Sequence, residues 1–378
     1  MYDAAPPERA PRPRPPEIPS LSRYWSETVH RLTPYVPGEQ RAGADVVKLN
    51  TNENPYPPSP RVLEAIRAVD GDALRRYPDA TSLKLREALA AYHGLDPAQV
   101  FVGNGSDEIL ALAFLAFFTD GRPLRHPDPS YSFYPVYCGL YGIESRPAPL
   151  DADFRIDLGP LLADEGGVVF PNPNAPSSLA IGLDDVRAVL GANPSSVVLV
   201  DEAYADFGAP SAVELVDGHP NLLVSRTFSK GRSLAGLRLG VAFGDAALIE
   251  ALVRVKDSFN SYPVDAVASA AGIASIEDEP WYREHVGRIV ATRTRFVEAL
   301  DARGWRTLDS AANFVFARPP GGDGRAVFER LSAANVLVRR WSAPRLEQWL
   351  RISIGTEADM DRLLDTLDRG DAGAGSDG

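Results

Sequence analysis

Residues 197–204 read Val-Val-Leu-Val-Asp-Glu-Ala-Tyr. Four consecutive aliphatic residues without polar alternation describe a strand buried in a sheet. The end of that strand delivers an acid and a phenol. A second such run, Asn221-Leu222-Leu223-Val224, leads into the short polar segment Thr227-Phe228-Ser229 and then Lys230. A lone lysine in such a loop would read as a surface charge. Just past a buried strand, among small residues, it is an odd place for a solvated one. Two strands ending in an acid and in a lysine predict an α/β sheet whose site lies at the carboxyl ends of its strands.

The chain is long enough for two domains with a good core, at 378 residues. A net charge of −12 argues against a nucleic-acid binder. The single cysteine, Cys138, leaves no internal disulfide and no cysteine-cluster metal site, and His30, His93, His126, His219 and His285 show no metal-ligand spacing. No apolar run is long enough to span a bilayer. The opening MYDAAPPERAPRPRPPEIP is rich in Pro and Arg and lacks the apolar centre of a secretory signal. It predicts a disordered or polyproline-like tail, as does the Gly/Ala/Asp-rich end from Gly370. The cytoplasm is the default location.

A third strand, Phe101-Val102, is followed by Gly103-Asn104-Gly105-Ser106-Asp107-Glu108 and an apolar helix over 109–118. Glycines let backbone approach a ligand, and the free N–H groups of a first helical turn attract an anion. Ser106 and Asp107 read equally well as ordinary N-caps. Beside Lys230 and Arg238, the turn becomes a phosphate cradle. Val168-Val169-Phe170 is a strand running into Pro171-Asn172-Pro173-Asn174-Ala175-Pro176-Ser177-Ser178. Further helices are predicted over 60–69, 82–93, 184–190, 246–258, 265–276, 281–302 and 357–368. Strands are predicted over 313–317, 336–340 and 350–355, so the region after 265 reads as a small α+β domain. Arg351, between Leu350 and Ile352, is half-buried by pattern and needs an anion.

Asp201-Glu202-Ala203-Tyr204, Thr227-Phe228-Ser229-Lys230 and Leu234-Ala235-Gly236-Leu237-Arg238-Leu239-Gly240 together resemble the pyridoxal-phosphate (PLP) aminotransferases of fold type I. More narrowly, they resemble the histidinol-phosphate aminotransferases. The arm Leu32-Thr33-Pro34-Tyr35-Val36-Pro37-Gly38-Glu39-Gln40, Asn52-Glu53-Asn54-Pro55, Arg76-Tyr77-Pro78-Asp79 and Arg351-Ile352-Ser353-Ile354-Gly355-Thr356 extend the likeness from about residue 30 to 368. The resemblance implies a large domain with a mostly parallel seven-stranded sheet flanked by helices, plus a smaller α+β C-terminal domain. The corresponding division is a tail over 1–20, an arm over 21–58, a PLP domain over 59–264, a small domain over 265–369 and a tail over 370–378.

The resemblance also implies roles. Lys230 forms the Schiff base and moves the proton, so its amine must be neutral. Asp201 holds the pyridine nitrogen protonated, and Tyr204 donates to the cofactor's phenolic oxygen. Gly105, Ser106, Asp107, Thr227, Ser229 and Arg238 hold the phosphate. Tyr131 stacks on the ring. Tyr77 reaches the phosphate in a partner subunit, which implies a homodimer with shared sites. The family has an asparagine where this chain has Ala175, so either Asn174 takes the role by a one-residue shift or the contact is missing. Tyr35, Asn54, Tyr262, Arg339 and Arg351 fall on the substrate side, with Arg340 the rival of Arg339.

The implied reaction converts histidinol phosphate and 2-oxoglutarate to imidazole acetol phosphate and glutamate. An amino donor and a 2-oxo acid are then the small-molecule partners, with no nucleic acid or membrane. Aromatic amino acid aminotransferases share these motifs and are the alternative, with phenylalanine as donor. A PLP-dependent decarboxylase is more distant. A PLP-sensing regulator would carry a basic helix-turn-helix domain, whereas here a short Pro-rich tail precedes the arm and the net charge is −12.

Overall fold

The computed structural model describes residues 22–35, 38–41, 43 and 45–374. The expected tail over 1–20 and the last residues, 375–378, lie outside them, as do Val36 and Pro37 of the arm motif. The described strands are β1 (Val47–Lys48), β2 (Val100–Gly103), β3 (Leu124–Asp128), β4 (Ser145–Pro149), β5 (Gly167–Pro171) and β6 (Val198–Asp201). They continue with β7 (Leu222–Thr227), β8 (Gly240–Gly244), β9 (Arg306–Thr307), β10 (Phe314–Arg318), β11 (Val336–Leu337) and β12 (Leu350–Ser353).

Strands β2 to β8 build one seven-stranded sheet in the order β2-β8-β7-β6-β5-β3-β4. β8 is antiparallel to both neighbours, and every other pairing is parallel. The uninterrupted apolar runs follow from burial on both faces. Successive side chains alternate across the pleat. Val198, Val200, Leu222 and Val224 enter a core with Leu85, Leu89, Val186 and Val189 of two helices. Leu199 and Leu223 enter the opposite core, with Ile109, Phe114, Ile249 and Leu252.

Two of these strands carry no apolar run. β3 reads Leu-Arg-His-Pro-Asp and β4 Ser-Arg-Pro-Ala-Pro. Prolines survive in β4 because it is the sheet edge, where an absent N–H breaks no ladder. In β3 the pairing to β5 covers only Leu124 and Arg125, before Pro127. Among the described residues three X-Pro bonds are cis: Asp128-Pro129, Asn172-Pro173 and Ala175-Pro176.

The C-terminal unit has the three-stranded antiparallel sheet β12-β10-β9. β1 of the arm pairs in parallel with β11, and Val47 and Leu49 join a core containing Ile289, Phe296, Ile352 and Leu363. The arm is therefore built into this unit. Helix Ala266–Glu277 lies beyond the division at 264, yet its Ala268, Ala271 and Ala274 belong to the core of the large sheet. The last helix, Glu357–Ala374, runs past Gly370, where a tail was expected. No helix among the described residues is long and apolar enough to cross a membrane.

Candidate active site

Strands β2, β3, β5, β6 and β7 are parallel, so Gly103, Asp128, Pro171, Asp201 and Thr227 all end on one edge of the sheet. A cavity of about 370 Å³ opens there. The large unit lines it with Ser106, Asp107, Tyr131, Asp201, Tyr204 and the Thr227–Lys230 turn, and Arg238 joins them. Tyr35 of the arm and Arg339 and Arg351 of the C-terminal unit close the other side.

Lys230 is at the floor. Its Nζ donates to the Thr51 carbonyl at 3.2 Å and lies 5.9 Å from the centre of the Tyr204 ring. Burial, reinforced by the nearby Arg351 charge, lowers the amine to about 8. The loop after Lys230 is braced by Asn54, whose amide donates to the carbonyls of Lys230 at 2.9 Å and Gly231 at 3.3 Å. Asn54, expected on the substrate side, does not line the cavity. Its one amide is committed to the backbone beneath.

Asp201 is 4 % exposed. It accepts from the Tyr134 hydroxyl at 3.1 Å and the Ser225 hydroxyl at 3.2 Å, and burial raises its carboxyl to about 6. A carboxylate so placed is suited to a cationic N–H partner. The Tyr204 oxygen accepts from the Asn52 amide at 3.0 Å, which leaves its own proton free to donate into the cavity. Burial pushes this phenol up, and its ring meets Phe314 edge-on. Asn52 is itself fixed in a left-handed conformation (φ 55°), its N–H donating to Ser353 Oγ at 2.8 Å.

The helix Gly105–Phe117 begins at the same edge. Its N-cap, Asn104, makes no capping bond with its side chain, and that amide goes to the Pro263 carbonyl. Ser106 and Asp107 sit inside the first turn rather than at the cap. Gly105 has φ 80°, and a Cβ there would meet Arg238 Nη2 at 2.7 Å. Gly240 admits the turn, since a Cβ on it would lie 2.5 Å from the Gly105 carbonyl carbon. Asp107 accepts from Arg238 at 3.0 Å and from the Tyr131 hydroxyl at 2.8 Å, fixing both. An uncapped helix start, a guanidinium and the hydroxyls of Thr227 and Ser229 form an anion cradle.

Asn174 departs from the expectation. It is fully buried, and its amide donates to Pro129 O at 3.3 Å and Ser177 Oγ at 3.0 Å. Ala175 lines the cavity instead, so no one-residue shift brings Asn174 in. At the substrate side, Arg339 and Arg351 pair through their backbones and both face the cavity. Arg340 turns away and donates to the Glu347 carbonyl. Arg351 Nη2 donates to the Asn50 carbonyl at 2.8 Å, while its buried Nε has no hydrogen-bond partner among the described residues. Tyr77 and Tyr262 stack on each other at 4.7 Å, outside the cavity.

The family model described as aminotransferase class I and II matches residues 44–367. The chain belongs to the class I and II aminotransferases. Among relatives of this aminotransferase, a histidinol-phosphate aminotransferase 2 of Thiobacillus denitrificans is 57 % identical, over 92 % of this chain and 98 % of that protein. One of Burkholderia mallei is 56 % identical over the same shares. The solved histidinol-phosphate aminotransferase of Sinorhizobium meliloti, in complex with pyridoxal-5'-phosphate, is 27 % identical with a TM-score of 0.82, covering 95 % of this chain and 100 % of that one.

Several lining residues of this aminotransferase were assigned no role from the sequence: Asn50 and Thr51, and Asn52, Glu53, Ala203 and Ala235 inside motifs quoted for their neighbours. Asn50 and Thr51 directly precede Asn52-Glu53-Asn54-Pro55, and that adjacency is the signal that could have found them.

Proposed function

We propose that this chain is a PLP-dependent histidinol-phosphate aminotransferase, acting in the cytoplasm in histidine biosynthesis. One observation carries the reading. A single cavity has a lysine and a carboxylate at its floor, an anion cradle at one end and an arginine pair at the other. The residues present suit PLP. Gly105 has φ 80° and lies against the Arg238 guanidinium, a left-handed turn that suits close backbone approach to a phosphate. The fully walled carboxylate of Asp201 matches a protonated ring nitrogen, and the Tyr204 proton matches a phenolic oxygen. Ala175 leaves that oxygen without an asparagine donor. Bound PLP supplies an electron sink for the substrate's α-carbon.

The chain's own residues do the rest. Lys230, with its amine near neutrality, accepts and returns the α-proton. Asp201 keeps its partner nitrogen protonated, and Tyr131 covers the ring. Arg339 and Arg351 hold the phosphate of histidinol phosphate in one half-reaction and a carboxylate of glutamate in the other. Tyr35 closes over them.

The active form is a homodimer. Tyr77, stacked on Tyr262, is 82 % exposed, and Leu74 and Phe259, each three residues away in sequence from one of the two, are exposed as well. Lys256 Nζ ties the two segments together through Ala80 O and Ser261 O. An apolar patch of this kind suits an interface between copies, with Tyr77 entering the partner's cradle. A single-turnover absorbance experiment tests the reaction. Histidinol phosphate is expected to convert the bound cofactor to its pyridoxamine form rapidly and phenylalanine slowly. The reverse order would move the assignment to an aromatic amino acid aminotransferase.

A further inference from the structure

Arg339 and Arg351 are direct cross-strand neighbours, with N–H···O bonds of 3.0 and 2.9 Å in both directions. Such partners leave the same face, and like charges placed so repel. Among the described residues no carboxylate forms a salt bridge with either guanidinium. Burial holds Arg351 below its ordinary range, and the Arg339 charge adds to that push. Something uncharged must therefore hold the two cations together.

The indole of Trp341 meets both. The Arg339 guanidinium carbon lies 5.6 Å from its ring centre and that of Arg351 5.4 Å. Arg351 is also 5.4 Å from the Phe314 ring, so two aromatic rings hold it. Trp341 is itself anchored edge-on to Phe316, against the cluster of Leu150, Phe154, Leu346 and Trp349. It does not line the cavity. We infer that Trp341 is a positioning residue for substrate recognition, an aromatic platform that keeps Arg339 and Arg351 side by side for a doubly charged phosphate ester. The inference rests on the reading that these arginines hold the substrate's anion. An aromatic face attracts cations without neutralising them, so the pair keeps its full charge for the ligand.

The test compares Trp341→Leu, which fills space without a π face, with Trp341→Phe, which keeps one. Steady-state kinetics give KM and kcat for histidinol phosphate, and calorimetry gives the Kd of inorganic phosphate for the holoenzyme. The Leu variant is expected to raise KM and the phosphate Kd about tenfold, the size of effect expected for two lost cation–π contacts. Its kcat should stay within about twofold, because Trp341 touches neither Lys230 nor Asp201 and Arg351 keeps its charge, and the Phe variant should restore most of the loss. Equal behaviour of Leu and Phe, or a fall in kcat at unchanged KM, overturns the proposal. Should the Leu variant fail to fold, Trp341→Met is compared with Phe on the same terms. Arg351→Gln separates the two ideas. A phosphate Kd unmoved by that change sinks the anion-site reading, whereas a Kd moved by Arg351→Gln but not by Trp341→Leu sinks only the platform.

Discussion

Lys230 is useful only while its amine is neutral, and its surroundings bring that state within reach. Burial, with Arg351 adding to it, lowers the group from 10.5 to about 8. The rate at which cofactor-free protein captures PLP should therefore rise with pH and level off above about pH 8. A rate still climbing through pH 10 would show an ordinary lysine. Lys230→Ala should abolish transamination, and measurable turnover in that variant would remove the lysine from the mechanism. Gly105→Ala puts a Cβ on a residue with φ 80° and against the Arg238 guanidinium. The left-handed conformation alone costs about 1–2 kcal/mol. Weaker PLP retention is expected, roughly tenfold in Kd for each 1.4 kcal/mol of that cost falling on the bound form. An unchanged Kd measured by equilibrium dialysis would count against the cradle.

The buried strands β6 and β7 do two jobs, in that their apolar bodies make the core and their ends deliver Asp201 and the Lys230 turn. Leu223 in β7 is fully buried, and Leu223→Ala should destabilise the fold by about 2–5 kcal/mol in chemical unfolding. The loop beyond β7 is held from outside by Asn54, through the carbonyls of Lys230 and Gly231. Asn54→Ala should leave the melting temperature close to that of the parent and lower kcat, since Lys230 loses its fixed aim. A higher KM at unchanged kcat would return Asn54 to the substrate.

The cavity is a property of the whole chain. Asn52 of the arm bonds Ser353 of β12 and Tyr204 beside β6, so three distant stretches meet at one residue. If the site is also shared between copies, mixing Tyr77→Phe and Lys230→Ala subunits should produce mixed dimers whose Lys230-bearing site has altered cofactor affinity. A mixed dimer in which that site behaves like either parent would confine Tyr77 to its own subunit.

The sheet, the strand-end acid and lysine and the glycine turn are legible in the residues because each is local. Four aliphatics in a row must be buried on both faces, and glycines reach a positive φ without help from the rest of the chain. β3 and β4 escaped that reading because neighbours, rather than their own Pro- and Arg-bearing residues, make them strands. The choice of Arg339 over Arg340 was open for a similar reason. Which of two adjacent side chains enters a cavity depends on the bridge to Arg351, a pairing between separate segments. The motif around Asn54 marks the residue's place but not the direction of its amide, which the loop after Lys230 decides. The sequence determines which groups are present and which local geometry each can adopt. Tertiary structure decides which of them share a cavity, because that depends on long-range pairing and burial that no local pattern records.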